Sequence, residues 1–317
     1  MKAAMVVTAG ATPVYGDFDA PVAGQGQTLV RVTGAAISHV TKARASGRHY
    51  SATGALPFVP GVDGTGVTED GRRVYFIFPR HPYGAMAEFC AVDDGQLIAL
   101  PDGLIDASAA AMAIPGMSSW AALVERAHLV AGETVLVNGA TGASGRLAIQ
   151  IAKHLGAKKV IATGRQTGAF DALRALGADE TIALTQDGEE MEKAFKRVFH
   201  DGVDIVLDYV FGKSAEAIVA AAAKAGPEGR AVRFVQIGAI SGADITLPGA
   251  ALRSSALQMM GSGIGSVPFA RLLAAVQGVL QAAPAAGFKV VAQTAPLADV
   301  QRVWDSGDAE SRIVLAP

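Results

Sequence analysis

The chain has 317 residues, half of them hydrophobic and 18% charged, enough for about two domains with large apolar cores. Its net charge of −2 gives no electrostatic case for nucleic acid or an anionic membrane surface as partner. Cys90 is the only cysteine, which excludes an intramolecular disulfide and a multi-cysteine zinc site.

The first residues, Met1 to Val7, carry one basic side chain and break at Gly10 and Pro13, so they read as a first strand and not as a signal peptide. No apolar run of the roughly 18 residues that a membrane span needs stands out, and a soluble cytoplasmic protein is expected. Short apolar runs at Ala4–Val7, Thr28–Val32, Val74–Phe78 and Ala87–Val92 alternate with Gly, Pro and Asp turns, predicting a mostly β region. Pro60–Val67 is a glycine-rich turn and strand within it. After Ala107 two helices are expected, Ala109–Ala113 and Ser118–Glu125, joined at Pro115-Gly116.

The next stretch organises the chain. Val135, Leu136 and Val137 read as a buried parallel strand, and Gly139, Gly142 and Gly145 then interrupt the apolar run. From Arg146 on, Leu147, Ile151 and Leu155 recur at helical spacing. Strand, glycine turn and helix in that order are the context of a dinucleotide fingerprint, here Ala140-x-Gly142-x-x-Gly145. Glycines let the backbone approach a pyrophosphate, and the helix N-terminus offers unpaired N–H groups to it. Ala140, Thr141, Gly142, Ala143, Ser144 and Gly145 are therefore expected to bind a cofactor.

Alternation of strands and helices continues. Strands are expected at Val160–Thr163, Glu180–Leu184, Val203–Asp208, Ala231–Ile237 and Leu257–Met260. Helices are expected at Ala169–Leu176, Glu189–Phe199 (a charged, solvated face), Lys213–Lys224 and Phe269–Ala283. This pattern predicts a parallel sheet covered on both faces. The tail, Lys289–Thr294 and Ile313–Leu315, is β again and is expected to rejoin the N-terminal region.

The second strand of such a fold ends beside the adenosine ribose, where an acid suits NAD and an arginine suits NADP. Here the chain reads Thr163-Gly164-Arg165, with no acid before Asp171. NADPH is the expected cofactor, with Arg165 on the 2′-phosphate and Gly164 beside it. One charge-assisted hydrogen bond corresponds to roughly 10- to 150-fold discrimination against NADH. A solvated loop arginine is the alternative.

A β-rich N-terminal region, an A-x-G-x-x-G nucleotide region and a returning tail together resemble the medium-chain dehydrogenase/reductases, specifically their zinc-free quinone oxidoreductase branch. The resemblance rests on Pro60-Gly-Val-Asp-Gly-Thr-Gly66, Tyr83-Gly-Ala-Met-Ala-Glu-Phe89, Leu100-Pro-Asp-Gly103, Ala131-Gly-Glu-Thr-Val-Leu-Val137 and Gly145–Ala157. It implies an α/β chain: a GroES-like β-rich substrate domain plus a Rossmann-like doubly wound parallel-sheet cofactor domain. The expected boundaries are 1–112 for the first part of the substrate domain, 113–262 for the cofactor domain and 263–317 for a helix and returning tail. Zinc-containing relatives carry Gly-His-Glu where this chain has Gly61-Val62-Asp63, and their first cysteine ligand is absent from Ser38–Thr41. The six histidines show no metal-ligand spacing, so no metal is expected. Without a Lewis acid, the resemblance implies hydride transfer from NADPH to an electron-poor quinone or activated, enone-type alkene.

Related quinone reductases carry an Asn-x-x-Asp-type segment before an Arg…Gly turn and a nearby Tyr. Ser38 and Thr41 stand in the Asn and Asp positions, and Tyr50 follows. Tyr50 is expected as a cleft wall and candidate proton donor, with packing as the alternative role. Tyr209, Gly238, Gly261 and Ser262 resemble positions that hold the nicotinamide end. The sixth strand would be an exposed edge, giving a homodimer hypothesis. Two rival readings stand beside this one. Tyr209 and Lys213 spell the Y-x-x-x-K of short-chain dehydrogenases, although Gly212 disfavours helix between them. A non-catalytic NADPH-binding redox sensor or structural protein is the other, because function lives in the site and not in the fold.

Overall fold

The computed structural model describes residues 1–49, 52, 55–184, 188–306 and 310–317. Contacts divide the chain into two compact units, Met1–Ile114 with Gln277–Pro317, and Pro115–Val276.

In chain order the first unit opens with the antiparallel pair β1 (Lys2–Met5) and β2 (Val14–Asp17). β3 (Gln27–Ala36) follows, then α1 (His39–Ala45), β4 (Asp63–Thr68), β5 (Arg73–Ile77), β6 (Phe89–Asp93) and β7 (Leu97–Ala99). β3 is twice the length its apolar run predicts. It continues past a bulge at Val32–Gly34 because β4, β6 and the C-terminal strand all pair along it. Val30, Val32, Val74, Phe76 and Met86 form much of this unit's core. Each such side chain contributes roughly 1.5–3 kcal/mol on burial.

α2 (Asp106–Ala121) corrects the two-helix expectation. It runs unbroken through Pro115 and continues as a wider turn over Ala122–Arg126. The proline forfeits one helical N–H, but Ala109–Ala113 and Ala121–Leu123 are almost fully buried, and that burial outweighs the lost bond. Asp106–Arg126 is also long and apolar enough to cross a membrane by length and composition, as is Phe269–Ala286. This corrects the expectation that no such run exists. Alanine supplies the hydropathy without large side chains, and 67% of the first window is buried within the protein itself.

The second unit alternates strictly: β8 (Thr134–Asn138), α3 (Ala143–His154), β9 (Lys159–Gly164), α4 (Phe170–Ala175), β10 (Glu180–Ala183), α5 (Gly188–Asp201), β11 (Ile205–Asp208), α6 (Gly212–Ala225), β12 (Val232–Gln236), α7 (Gly249–Arg253) and β13 (Leu257–Gly261). Its six strands are all parallel in the order β10-β9-β8-β11-β12-β13. Counted within the unit this is 3-2-1-4-5-6, the doubly wound order of dinucleotide-binding sheets. β13 is the edge strand at one side. α5 is solvated on most of its surface but buries Phe195, Val198 and Phe199 against Leu136, Ile161 and Val206.

α8 (Phe269–Ala286) crosses the unit boundary, which falls at Val276/Gln277 rather than after Ser262. Val267, Leu272, Ala275 and Val276 are buried, so the first half of the helix belongs with the parallel-sheet unit. β14 (Val291–Pro296), α9 (Val300–Val303) and β15 (Ser311–Ala316) complete the first unit. β15 pairs antiparallel with β3 and parallel with β14.

Candidate cofactor and acceptor sites

In the parallel-sheet unit, the ends of β8, β9, β11, β12 and β13 lie along one edge of the sheet. Gly164 and Gly261 close β9 and β13, and Ala140–Gly145, Arg165, Tyr209, Gly238 and Ser262 follow the strand ends, so all of these sequence positions lie along that edge. The turn after β8 is drawn onto β9: Ala140 N donates to Thr163 O at 2.7 Å and Gly139 N to Thr163 Oγ1 at 3.2 Å. α3 then starts with Gly142 as its N-cap, and no side chain caps its first N–H groups. They remain available to an anion. A Cβ on Gly145 would lie 2.5 Å from Ala140 Cα, and one on Gly164 would lie 2.5 Å from Thr141 Cγ2. At Gly145 the opposing atoms are backbone, so only glycine fits there; at Gly164 a larger residue would have to displace the Thr141 side chain. Thr141, Gly142 and Ser144 are half-buried, while Ala140 and Ala143 face the interior.

A buried polar chain beneath this turn was not foreseen. Asn138 Nδ2 donates to Asp208 Oδ1 and to Ser214 Oγ, both at 2.9 Å, and Thr163 Oγ1 donates to Asn138 Oδ1 at 2.7 Å. Asp208 Oδ1 also accepts from the N–H groups of Val210 and Phe211 at 3.0 Å. Desolvation raises the pKa of Asp208, and the two backbone donors and Asn138 oppose that rise. The chain fastens β8, β9 and β11 together where the strand order reverses. Its signal in the sequence is that the apolar strands at Val135–Val137 and Ile205–Leu207 both end on a polar residue.

Tyr209 is buried, and its hydroxyl lies 2.7 Å from Ser119 Oγ. Burial pushes its phenol up to about 12, so it keeps its proton at neutral pH. Lys213 is turned to solvent and bonds Glu216 at 3.0 Å. The short-chain pairing of Tyr209 with Lys213 is therefore not formed. Gly238 sits tight against the Tyr209 carbonyl, 2.5 Å from where its Cβ would lie. Gly261 O accepts from Arg126 Nε at 2.8 Å, and Ser262 N donates to Gln236 O. Arg165 is exposed and makes no hydrogen bond or ion pair among the described residues. Phe170 places its ring edge 3.6 Å from a Cβ built on Gly164.

In the first unit, Ser38 is the N-cap of α1: its Oγ accepts from Thr41 N at 3.2 Å and lies 2.9 Å from Thr41 Oγ1. Both residues are buried. Tyr50 lies outside the described residues. Thr41 lines a solvent-open pocket with Arg44, Phe58, Phe78, His81 and Tyr83. Ser38 lines a second with His39, Lys42, Trp304 and Arg312. Arg312 and Trp304 come from the tail. The only clue to Arg312 in the sequence is a single charge within the apolar run Ile313–Leu315 and its neighbours. Desolvation, then the charges of Arg312 and Lys42, lower the His39 pKa.

Asp63, where zinc-containing relatives have Gly-His-Glu, is fully buried. Its Oδ2 accepts from Tyr75 Oη at 3.0 Å, and Oδ1 has no partner among the described residues. Burial pushes it up to about 7, against the pull of Tyr75 and Arg312. Among the described residues no three His, Cys, Asp or Glu side chains converge as a metal site would require. A nicotinamide dinucleotide does fit: an uncapped helix start, a cradle that a Cβ would fill and an exposed arginine lie on one sheet edge.

A family model described as zinc-binding dehydrogenase matches residues 143–278. The chain is 31% identical, over the full length of both, to a probable NADPH-dependent quinone reductase of Emericella nidulans. It is 32% identical to a chloroplastic NADPH-dependent alkenal/one oxidoreductase of Arabidopsis thaliana, over 56% of this chain and 50% of that protein. The quinone oxidoreductase from Thermus thermophilus, solved alone and with NADPH, superposes with a TM-score of 0.83 at 28% identity, covering both chains fully. With this fold, this glycine turn and no zinc ligands at the expected positions, the chain belongs to the medium-chain dehydrogenase/reductases, in the zinc-free quinone oxidoreductase-like branch.

Proposed function

We propose that this protein is a zinc-independent, NADPH-dependent oxidoreductase that delivers hydride to a quinone or an enone-type alkene. The observation that carries the reading is the uncapped start of α3 packed against the Gly145–Ala140 contact, with Arg165 exposed at the end of β9. Ala140–Gly145 would hold the diphosphate through backbone N–H groups. Gly164 leaves room for the adenosine ribose, Arg165 takes its 2′-phosphate and Phe170 flanks it. Tyr209, Gly238, Gly261 and Ser262 would hold the nicotinamide half. NADPH, when bound, supplies the hydride.

The protein's own part is positioning and proton control. Tyr209, protonated and bonded to Ser119, is a rigid neutral wall and not a base. Ser38 and Thr41 satisfy each other and fix the start of α1, so their hydroxyls shape the acceptor pocket more than they donate protons. Tyr50 is the proposed proton donor to the reduced acceptor. We place the protein in the cytoplasm as a homodimer joined through the β13 edge. NADPH oxidation against a panel of quinones and enones tests the activity. Turnover of at least one class is expected. NADPH binding with no turnover on any acceptor would replace this reading with the redox sensor.

A further inference from the structure

Among the described residues, the cavity beside Thr41 is lined by Arg44 and by no carboxylate. Arg44 projects into it from the last turn of α1, half-buried, and its guanidinium makes no hydrogen bond or ion pair among the described residues. Its one described contact is the face of Phe78, 5.8 Å from the ring centroid. Among the described residues no Asp or Glu lines the cavity, and Phe58, Val62, Phe78 and Tyr83 form much of its wall beside Thr41 and His81. His81 lies against Phe58, with ring centroids 5.7 Å apart. Desolvation lowers the Arg44 pKa, and no partner raises it. A guanidinium withdrawn from water without a partner is costly, and a planar carboxylate accepting two parallel N–H bonds is the group that best relieves it. A concave site in which one charged group converges with polar atoms and aromatic rings is also a usual form of a site that orients a small organic acid.

We infer that the Arg44 cavity receives a carboxylate carried by the acceptor, so that acidic enones and quinones are the preferred substrate class. This rests on the reductase reading, because Thr41, an acceptor-side position, lines the same cavity. The carboxylate takes no part in the redox step; it anchors the molecule while the conjugated carbon accepts hydride.

The test is a matched pair: an enone bearing a carboxylate on a short alkyl chain, and its methyl ester, each reduced at saturating NADPH. The wild type should favour the acid in kcat/KM by about tenfold to a hundredfold, the range of one charge-assisted contact. In Arg44→Met the ratio should fall toward one. Arg44→Lys, which keeps the charge but loses the fork, should retain part of the preference. Reduction of the ester without preference for the acid, or a preference that survives Arg44→Met, overturns the inference and leaves the reductase reading intact. If neither compound is reduced, the quinone and enone panel decides the reductase reading, and calorimetric titration with 2-naphthoate decides the cavity. Binding that Arg44→Met abolishes supports the carboxylate site; equal or absent binding in both proteins overturns it.

Discussion

The end of the parallel sheet and the surroundings of α1 are built on opposite plans. At the ends of β8 and β9 the geometry is set by backbone: Gly145 against Gly139 and Ala140, and Ala140 N on Thr163 O. Around α1 it is set by side chains: Ser38 with Thr41, Arg44 over Phe78, Asp63 with Tyr75. A cofactor of constant shape suits a backbone mould, which tolerates almost no change. An acceptor that differs between relatives suits a wall of replaceable side chains.

The sharpest attack on this contrast is Gly145→Val. A branched side chain 2.5 Å from Ala140 Cα must push α3 away from the turn, and NADPH affinity should fall more than about a hundredfold. Fluorescence titration of NADPH reads it, with circular dichroism to confirm folding. Near-normal affinity would mean that the backbone mould is not what binds the cofactor.

Asp63→Asn probes the side-chain half. The native carboxyl titrates at about 7, above an ordinary aspartate, so the folded state holds a proton that the unfolded chain releases from about pH 4 upward. The stability tied to that proton is full below pH 4 and lost as pH rises through 7. The asparagine variant lacks this loss. Its stability relative to wild type should therefore rise between pH 4 and 8, by up to roughly 4 kcal/mol, in urea unfolding curves. Parallel curves for the two proteins would show that Asp63 titrates normally.

Arg165→Ala should raise KM for NADPH by roughly 10- to 150-fold while sparing NADH. Steady-state kinetics with both cofactors checks it, and an equal effect on each would remove Arg165 from the 2′-phosphate. The smallest effect is expected of Ser38→Ala. Loss of the α1 cap should cost about 1 kcal/mol in thermal unfolding, with NADPH affinity unchanged because the mould lies in the other unit.

The same contrast explains how much could be read in advance. The alternation of Val135–Val137 with Leu147–Leu155, and its repeats downstream, carried the doubly wound sheet, because buried parallel strands are near-continuous apolar runs. The glycine turn was legible because close backbone contact restricts the residue to Gly. α1 was not, since seven residues with only Thr41 and Ala45 buried leave no helical stripe. α2 was split at Pro115 because the local rule against proline is strong and the burial that overrides it is tertiary. Neither Arg312 nor Trp304 could be placed beside His39, because only the return of β15 onto β3 brings the tail there. Tyr50 lies outside the described residues.

Asn138 has a consequence for how the sheet assembles. β8 and β11 meet as Val135, Leu136 and Val137 opposite Ile205, Val206 and Leu207, hydrocarbon on hydrocarbon, with little to tell one alignment from the next. Asn138 opposite Asp208 marks the correct one. Sliding either strand by a single step would take the Asn138 donor away from the buried carboxylate, while the Val210 and Phe211 N–H groups travel with Asp208. The carboxamide acts as a ruler: it penalises every misaligned closure of the central strands, and so helps ensure that the chain arrives at one sheet instead of several.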